Sequence, residues 1–151
     1  MRKTAESAAS LSHSAATRFD GALSLETAAT PPSFNAVGLH SHWRKGHRWK
    51  QAWQRDLWVL LLAGGLPKPL RHVHVEASLR FPQKRQRDEG NFRVILEKAC
   101  GDALVAGGWL SDDSAGRFSF GRVSFEPERG PHRTRLVVRY QLGVRNESDR
   151  T

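Results

Sequence analysis

With 151 residues, the chain is long enough for one domain rather than two, and its 38% hydrophobic content excludes a wholly disordered protein. A surplus of 24 Lys and Arg over 15 Asp and Glu gives a net charge of +9, which favours a polyanionic partner, nucleic acid before membrane. The single cysteine, Cys100, excludes a disulfide scaffold, no zinc-finger spacing is present, and the longest apolar run, 57–63, is too short to span a membrane.

Composition divides the chain into three regions. Residues 1–20 carry few large apolar side chains, so we expect a disordered N-terminal tail, without the hydrophobic core of a secretory signal. A single folded domain is predicted over 21–144, followed by a loose C-terminal tail at 145–151. We therefore expect a soluble, cytoplasmic protein with no membrane partner.

The first half of the folded region alternates strand and helix patterns. Residues 22–29 predict a weak strand that stops at Pro31-Pro32. After a polar, histidine-rich loop, apolar residues recur at helical spacing over 48–63, and Gly64-Gly65 ends that helix. Residues 73–81 alternate between apolar and polar side chains, which is the pattern of a half-buried strand.

The second half continues with one helix and two strands. Apolar spacing predicts a helix over 91–106, which the following glycine pair ends. Residues 118–125 predict a third strand with a kink at Gly121, and the alternation at 136–140 predicts a fourth. This order favours an α/β or α+β domain with a small mixed β-sheet flanked by two main helices.

Charged residues are concentrated at the two ends of the second helix. They are Lys84, Arg85, Arg87, Asp88 and Glu89 at its start and Asp112 and Asp113 after its end. Carboxylates of this kind can hold Mg²⁺, and arginine matches a phosphate group with two hydrogen bonds, so the pattern suits metal-dependent phosphodiester hydrolysis. The structural alternative is a helix start that favours acids and an ordinary polar turn.

A basic and aromatic stretch leads into the first helix. Its cations Arg44, Lys45 and Arg48 suit contact with DNA phosphates, and the alternative is a solvated helix face. Trp49 and Trp53 lie four residues apart on the apolar side of the helix, so we expect them in the core.

Three motifs resemble, in the same order, those of the RusA-type Holliday junction resolvases. Pro31-Pro32-Ser33-Phe34-Asn35 is similar to the family's Pro-Pro-Ser-x-Asn motif, and Arg87-Asp88-Glu89-Gly90-Asn91 is similar to its Arg-rich Asp-x-Asp-Asn motif. The third is Lys98-Ala99-Cys100-Gly101-Asp102-Ala103-Leu104, followed by Trp109-Leu110-Ser111-Asp112-Asp113, where the family has Lys-x-x-x-Asp-Ala-Leu and a Trp-Leu-x-Asp-Asp turn. The resemblance spans residues 22–140.

This resemblance implies a homodimeric, Mg²⁺-dependent endonuclease, with Mn²⁺ as an alternative ion. Such an enzyme cuts four-way DNA junctions symmetrically in recombination and repair. The resemblance implies Asp88 and Asp113 as metal ligands and catalytic residues, with Lys98 as an assisting catalytic lysine. It implies Asn91 and Asn35 as supporting residues.

Two departures from the family pattern leave the metal ligand set open. Gly90 stands at the family's second aspartate, so Glu89 and Asp112 are the candidate further ligands. Four extra residues precede the helix lysine, and they bring in Glu97, either as a replacement carboxylate or as an ion-pair partner of Arg93. The alternative function is a catalytically inactive branched-DNA-binding protein on the same fold.

Overall fold

The order of strands and helices agrees with the one expected from the sequence. The computed structural model describes residues 18–33 and 43–144, with the backbone alone for 43–47. The elements are β1 (Gly21–Thr27), α1 (Trp43–Ala63), β2 (Leu70–Arg80), α2 (Glu89–Ala106), β3 (Phe118–Phe125) and β4 (Arg133–Leu142). A small α+β domain with a mixed sheet and two helices is confirmed, whereas the tails predicted at 1–17 and 145–151 lie outside the described residues.

The four strands form one sheet in the order β1-β4-β2-β3. Strand β4 lies antiparallel to both neighbours, and β2 and β3 are parallel because the crossover through α2 returns the chain to the same end of the sheet. The pairing of β2 with β3 shifts between Val75 and Ala77, which leaves one extra residue in β3 beside Gly121. The kink predicted at Gly121 is therefore a β-bulge.

One face of the sheet and both helices enclose a single core. Leu57 of α1, Leu96 of α2 and Val75 of β2 all belong to it, each no more than 2% exposed. Trp53 is buried as expected, and Trp49 packs against the core while half-buried. The opposite face of the sheet carries polar side chains at alternate positions of β2 and β4, and these are partly exposed.

Cys100 is a core residue, as its apolar neighbours in the sequence predict. It is 4% exposed and lies on the buried side of α2. Burial raises the pKa of its thiol to about 12, because the charged thiolate is poorly solvated in the core. The thiol therefore stays protonated and unreactive at neutral pH.

The residues just before β1 are attached to the sheet. The Gln141 side-chain amide donates to the Arg18 carbonyl at 2.8 Å, and the Leu142 amide donates to the Asp20 carboxylate at 2.6 Å. Residues 18–20, which the sequence placed at the end of the tail, therefore lie against β4. In the described ranges, neither helix is both long and apolar enough to cross a membrane.

Helix α2 is fixed to the edge strand β3 by polar side chains on one stripe. The Arg93 guanidinium donates to the Phe120 carbonyl at 3.0 Å, and the Val123 amide donates to the Glu89 carboxylate at 3.2 Å. Since β3 has a neighbouring strand on one side alone, these bonds pair backbone groups on its outer edge. The start of α2 is thereby held at a set position along the sheet.

The substitution Leu96→Ala tests the packing of α2 on the core. Leu96 is fully buried, so we expect a loss of about 2–5 kcal/mol in the free energy of unfolding, from lost burial and the cavity left behind. The matched control is Val94→Ala, because Val94 lies on the same helix and is 54% exposed. We expect the control to change stability by less than about 1 kcal/mol in urea denaturation, and equal losses would contradict this packing.

Candidate functional site

The C-terminal half of α2 and the loop after it form a shallow surface groove. Lys98 and Asp102 line it from α2, Asp112 and Asp113 line it from the loop, and Gln54 lines it from α1. Three of the residues predicted from the sequence, Lys98, Asp112 and Asp113, therefore meet at one place.

Asp113 is exposed and lies against α2 at Gly101. A Cβ atom at position 101 would lie 3.3 Å from the Asp113 Oδ2 atom, so the glycine lets the loop approach the helix closely. Within the part of the chain that the structure describes, no donor is hydrogen-bonded or ion-paired to this carboxylate. Asp113 is therefore available for a cation from solution.

Asp112 makes its contacts within the loop itself. Its carboxylate accepts a hydrogen bond from the Ser114 amide at 3.0 Å and pairs with the Arg117 guanidinium at 3.1 Å. These hydrogen bonds from Ser114, together with the charge of Arg117, hold the pKa of Asp112 below its usual range. Asp112 thus builds the turn that presents Asp113.

Asp102 connects the two helices through two lysines. Its carboxylate lies 2.9 Å from the Lys50 ammonium of α1 and 3.2 Å from the Lys98 ammonium one turn earlier on α2. Partial burial opposes ionisation, but hydrogen bonds from both lysines outweigh it and hold the pKa of Asp102 below its usual range. The Lys98–Asp102 pair, at the i, i+4 spacing, holds a lysine ammonium in the groove.

Asp88 lies at the other end of α2. It is the N-cap residue, and its Oδ1 atom accepts a hydrogen bond from the Gly90 amide at 3.0 Å. Gly101, which Asp113 contacts, lies thirteen positions further along the chain, about 20 Å at the rise of an α-helix. The structure therefore does not bring Asp88 and Asp113 together, because almost four turns of α2 separate them.

Glu89 and Asn91 also have places in the helix start. The Glu89 carboxylate accepts a hydrogen bond from the Val123 backbone amide of β3. The Asn91 backbone amide donates to the Asp88 carbonyl at 3.2 Å. Both residues lie with Asp88, far from the groove. They fit the structural alternative for this stretch better than a shared metal site with Asp113.

Glu97 is the acid that enters with the extra turn of α2. It forms an ion pair with Arg93 at 4.0 Å and is 48% exposed, so the predicted pairing at i, i+4 is present. Glu97 also precedes Gly101 by one helical turn, on the same stripe of α2. Asp102 lines the groove itself, whereas Glu97 lies outside its lining and reaches that side of α2 from one turn earlier.

These acids fit a Mg²⁺ site with one or two protein ligands better than a site with three or more. Across residues 18–33 and 43–144, the structure has no group of three or more His, Cys, Asp or Glu arranged to hold a metal ion. Mg²⁺ is commonly held by one or two carboxylates together with water and substrate phosphates. Asp113, with Glu97 one turn away from its contact point, fits that arrangement when a phosphate group completes it.

The basic residues before α2 divide into one that holds the loop and two that are free for contacts. Arg87 donates to the carbonyls of Gln83 and Arg85 at 3.2 Å each, and its guanidinium stacks 3.8 Å from the centre of the Phe81 ring. Partial burial and the neighbouring charge of Arg85 lower the pKa of Arg87. Lys84 and Arg85 are exposed and remain candidates for phosphate contact.

The other predicted DNA-contacting residues lie at the start of α1. Arg48 is exposed and borders a second groove beside Trp58. The side chains of Arg44 and Lys45, and all of Asn35, lie outside the described residues.

Two residues that contact groove residues have roles that the sequence did not indicate. Lys50 pairs with Asp102 across two helices, and no local pattern in the sequence indicates a contact at that separation. Gly101 is different, because a glycine inside a helix costs stability and is a recognised sign of close approach by another segment.

Comparison with known proteins does not add a family to this description. No protein-family model matches the chain, and no curated protein matches it either. The function then has to be argued from the groove, the charge of the surface and the three motifs.

The capping role of Asp88 is tested by paired substitutions. We expect Asp88→Ala to lower the free energy of unfolding by about 1 kcal/mol, because the Gly90 amide loses its acceptor. Asp88→Asn should stay within about 0.5 kcal/mol of the wild type, because asparagine caps a helix equally well. Urea denaturation measures both, with Asp113→Ala as the control for loss of an exposed acid.

Proposed function

We propose that the protein is a metal-dependent endonuclease that acts on branched DNA and holds its divalent ion at Asp113. The observation that supports this most is the groove on a chain of net charge +9. Lys98 and Asp113 both line it, and among the described residues the Asp113 carboxylate has no hydrogen-bond or ion-pair partner. The motif resemblance supplies the substrate class, and the groove supplies the position of the chemistry. Asp88 is not a metal ligand in this proposal.

Each groove residue would have a different role in phosphodiester hydrolysis. A divalent ion bound there, Mg²⁺ or Mn²⁺, would polarise a phosphate oxygen and provide a nucleophilic water. Asp113 would hold the ion, and Glu97, which now pairs with Arg93, would be the second carboxylate. Lys98 would neutralise charge on the phosphate oxygens, and Asp102 keeps the lysine in place.

The start of α2 contributes to binding of the DNA rather than to chemistry. Lys84 and Arg85 are exposed there and would contact phosphates about 20 Å from the groove, a distance set by the length of the helix. Arg48 extends the basic surface on α1, where Arg44 and Lys45 also belong by sequence. Contacts of this kind depend on charge, so binding should weaken steeply as salt rises.

The proposal includes a homodimer that works in the cytoplasm. A four-way junction has two-fold symmetry, and paired symmetric cuts require two active sites related by the same symmetry. A dimer of this chain would supply them.

A second function is favoured by one specific observation. The described residues hold no group of three potential metal ligands, and the predicted pair Asp88 and Asp113 is split by α2. A protein with too few ligands would still bind branched DNA through its basic surface without cutting it. The two functions differ in whether a nick ever appears.

A nicking assay on a synthetic four-way junction separates these functions. With Mg²⁺ or Mn²⁺ we expect paired cuts on the junction, none on a matched linear duplex and none in EDTA. Asp113→Ala should lower the cleavage rate by about 100-fold or more, since it removes the proposed ion ligand, while junction binding in a gel-shift assay stays nearly unchanged.

Asp88→Asn is the matched control, because it removes a carboxylate from the same helix and keeps the cap. We expect it to cut within about three-fold of the wild-type rate. Loss of cleavage in Asp88→Asn would contradict the placement of the ion at Asp113. Tight, salt-sensitive junction binding with no product in either metal would favour the binding-only function.

A further inference from the structure

Two histidines on the open face of the sheet converge on one serine. His72 and His74 lie on β2, and Ser119 lies on the neighbouring β3. The Ser119 hydroxyl oxygen is 3.1 Å from His72 Nε2 and 2.7 Å from His74 Nδ1. This cluster is separate from the groove and has no part in the function proposed above.

In each ring, the nitrogen that faces away from Ser119 has a partner that determines the tautomer. His72 Nδ1 lies 3.1 Å from the Gly116 carbonyl, which can only accept, so Nδ1 is the donor. His74 Nε2 lies 3.4 Å from the Glu76 carboxylate, which also accepts, so Nε2 is the donor there. In the neutral rings, the two nitrogens that face Ser119 are therefore both acceptors.

One hydroxyl cannot satisfy two acceptors. The Ser119 hydroxyl has a single hydrogen, so one of the two imidazole lone pairs faces oxygen without a hydrogen between them. We propose that these two nitrogens, His72 Nε2 and His74 Nδ1, form a binding site for a transition-metal ion of the Zn²⁺ class. A cation accepts both lone pairs, with the hydroxyl displaced and water in the remaining positions.

The surroundings match those of histidine ligands in metal sites. Such a ligand almost always donates its other ring nitrogen to a backbone carbonyl or a carboxylate, which orients the ring and raises its basicity. His72 does so to Gly116, and His74 does so to Glu76. Both acceptors are present before any ion binds.

Packing also limits movement of the two rings. The Phe19 ring lies across both, with its centre 6.3 Å from the centre of each imidazole. On the other side, a Cβ at Gly121 would lie 2.9 Å from His74 Nε2 and from Glu76 Cγ, so the glycine makes room for this pair. Imidazole ligands suit Zn²⁺, Cu²⁺ and Ni²⁺ and do not suit Mg²⁺, which prefers oxygen. This site and the groove should therefore take different ions.

Isothermal titration of the full chain with ZnCl₂ tests the proposal. We expect one ion per chain at this site. His72→Gln and His74→Asn should each weaken the binding by about ten-fold or more, because an amide replaces the ligating imidazole nitrogen while a hydrogen-bonding group stays near Ser119. Ser119→Ala keeps both imidazoles, so it should bind Zn²⁺ at least as well as the wild type.

The chain's other histidines provide the controls. His132→Gln should bind as the wild type does, because His132 pairs with Thr30 elsewhere. A variant with His40, His42 and His47 replaced by glutamine should also retain this ion. In a nitrogen-resolved NMR spectrum, Zn²⁺ should shift His72 Nε2 and His74 Nδ1 most strongly.

Three results would overturn the proposal. One is a wild-type chain that takes up no zinc. Another is unchanged zinc binding in both His72→Gln and His74→Asn. The third is loss of the ion from the variant at positions 40, 42 and 47 alone.

Discussion

The attachment of α2 to the edge of β3 determines where the acidic residues at the two ends of that helix lie. Two side chains make it, with Glu89 accepting from the Val123 amide and Arg93 donating to the Phe120 carbonyl. They align the helix along the outer strand, so that its start and its C-terminal half lie at fixed places on the sheet. Asp88 stays at one end and Asp113 meets the helix about 20 Å away, which is too far for one ion to contact both.

The acids also differ in the contacts that their carboxylates already make. Asp102 is held by two lysines, Asp112 by the turn and Arg117, and Glu89 by a strand amide. Such contacts stabilise the ionised carboxylate, and a cation would have to replace them before it could bind. An exposed carboxylate that lacks such contacts, as Asp113 does among the described residues, would bind a cation without that cost. This is why the proposed chemistry follows Asp113 rather than the pair implied by the motifs.

The sequence predicted the elements well because their patterns are local. The alternation in β2 and β4 and the 3.6-residue spacing in α2 depend on neighbours within one element. The bounds of α2 were nearly those observed, whereas β2 begins three residues before its predicted start and β4 extends beyond the predicted 136–140 at both ends. Helix α1 begins at Trp43, five residues before its predicted start at 48, because residues 44–47 carry no apolar side chain that would extend the apolar pattern back to Trp43. The site was harder to predict. Asp88 fits a helix cap as well as a metal ligand, and the motif alone cannot show that an added turn carries it away from Asp113. The contacts of Lys50 with Asp102 and of Ser119 with two histidines join residues far apart in the chain, so no local pattern indicates them.

The position of the divalent ion is the central claim, and paramagnetic broadening by Mn²⁺ measures it most directly. In an amide NMR spectrum of the full chain with a short branched DNA, low Mn²⁺ should first broaden the signals of Gly101, Asp113 and their neighbours. The signals of Gly90 and Asn91 should stay sharp, because that end of α2 lies about 20 Å away and the effect falls steeply with distance. Broadening that begins at Gly90 and Asn91 would contradict the account, because it would locate the ion at Asp88.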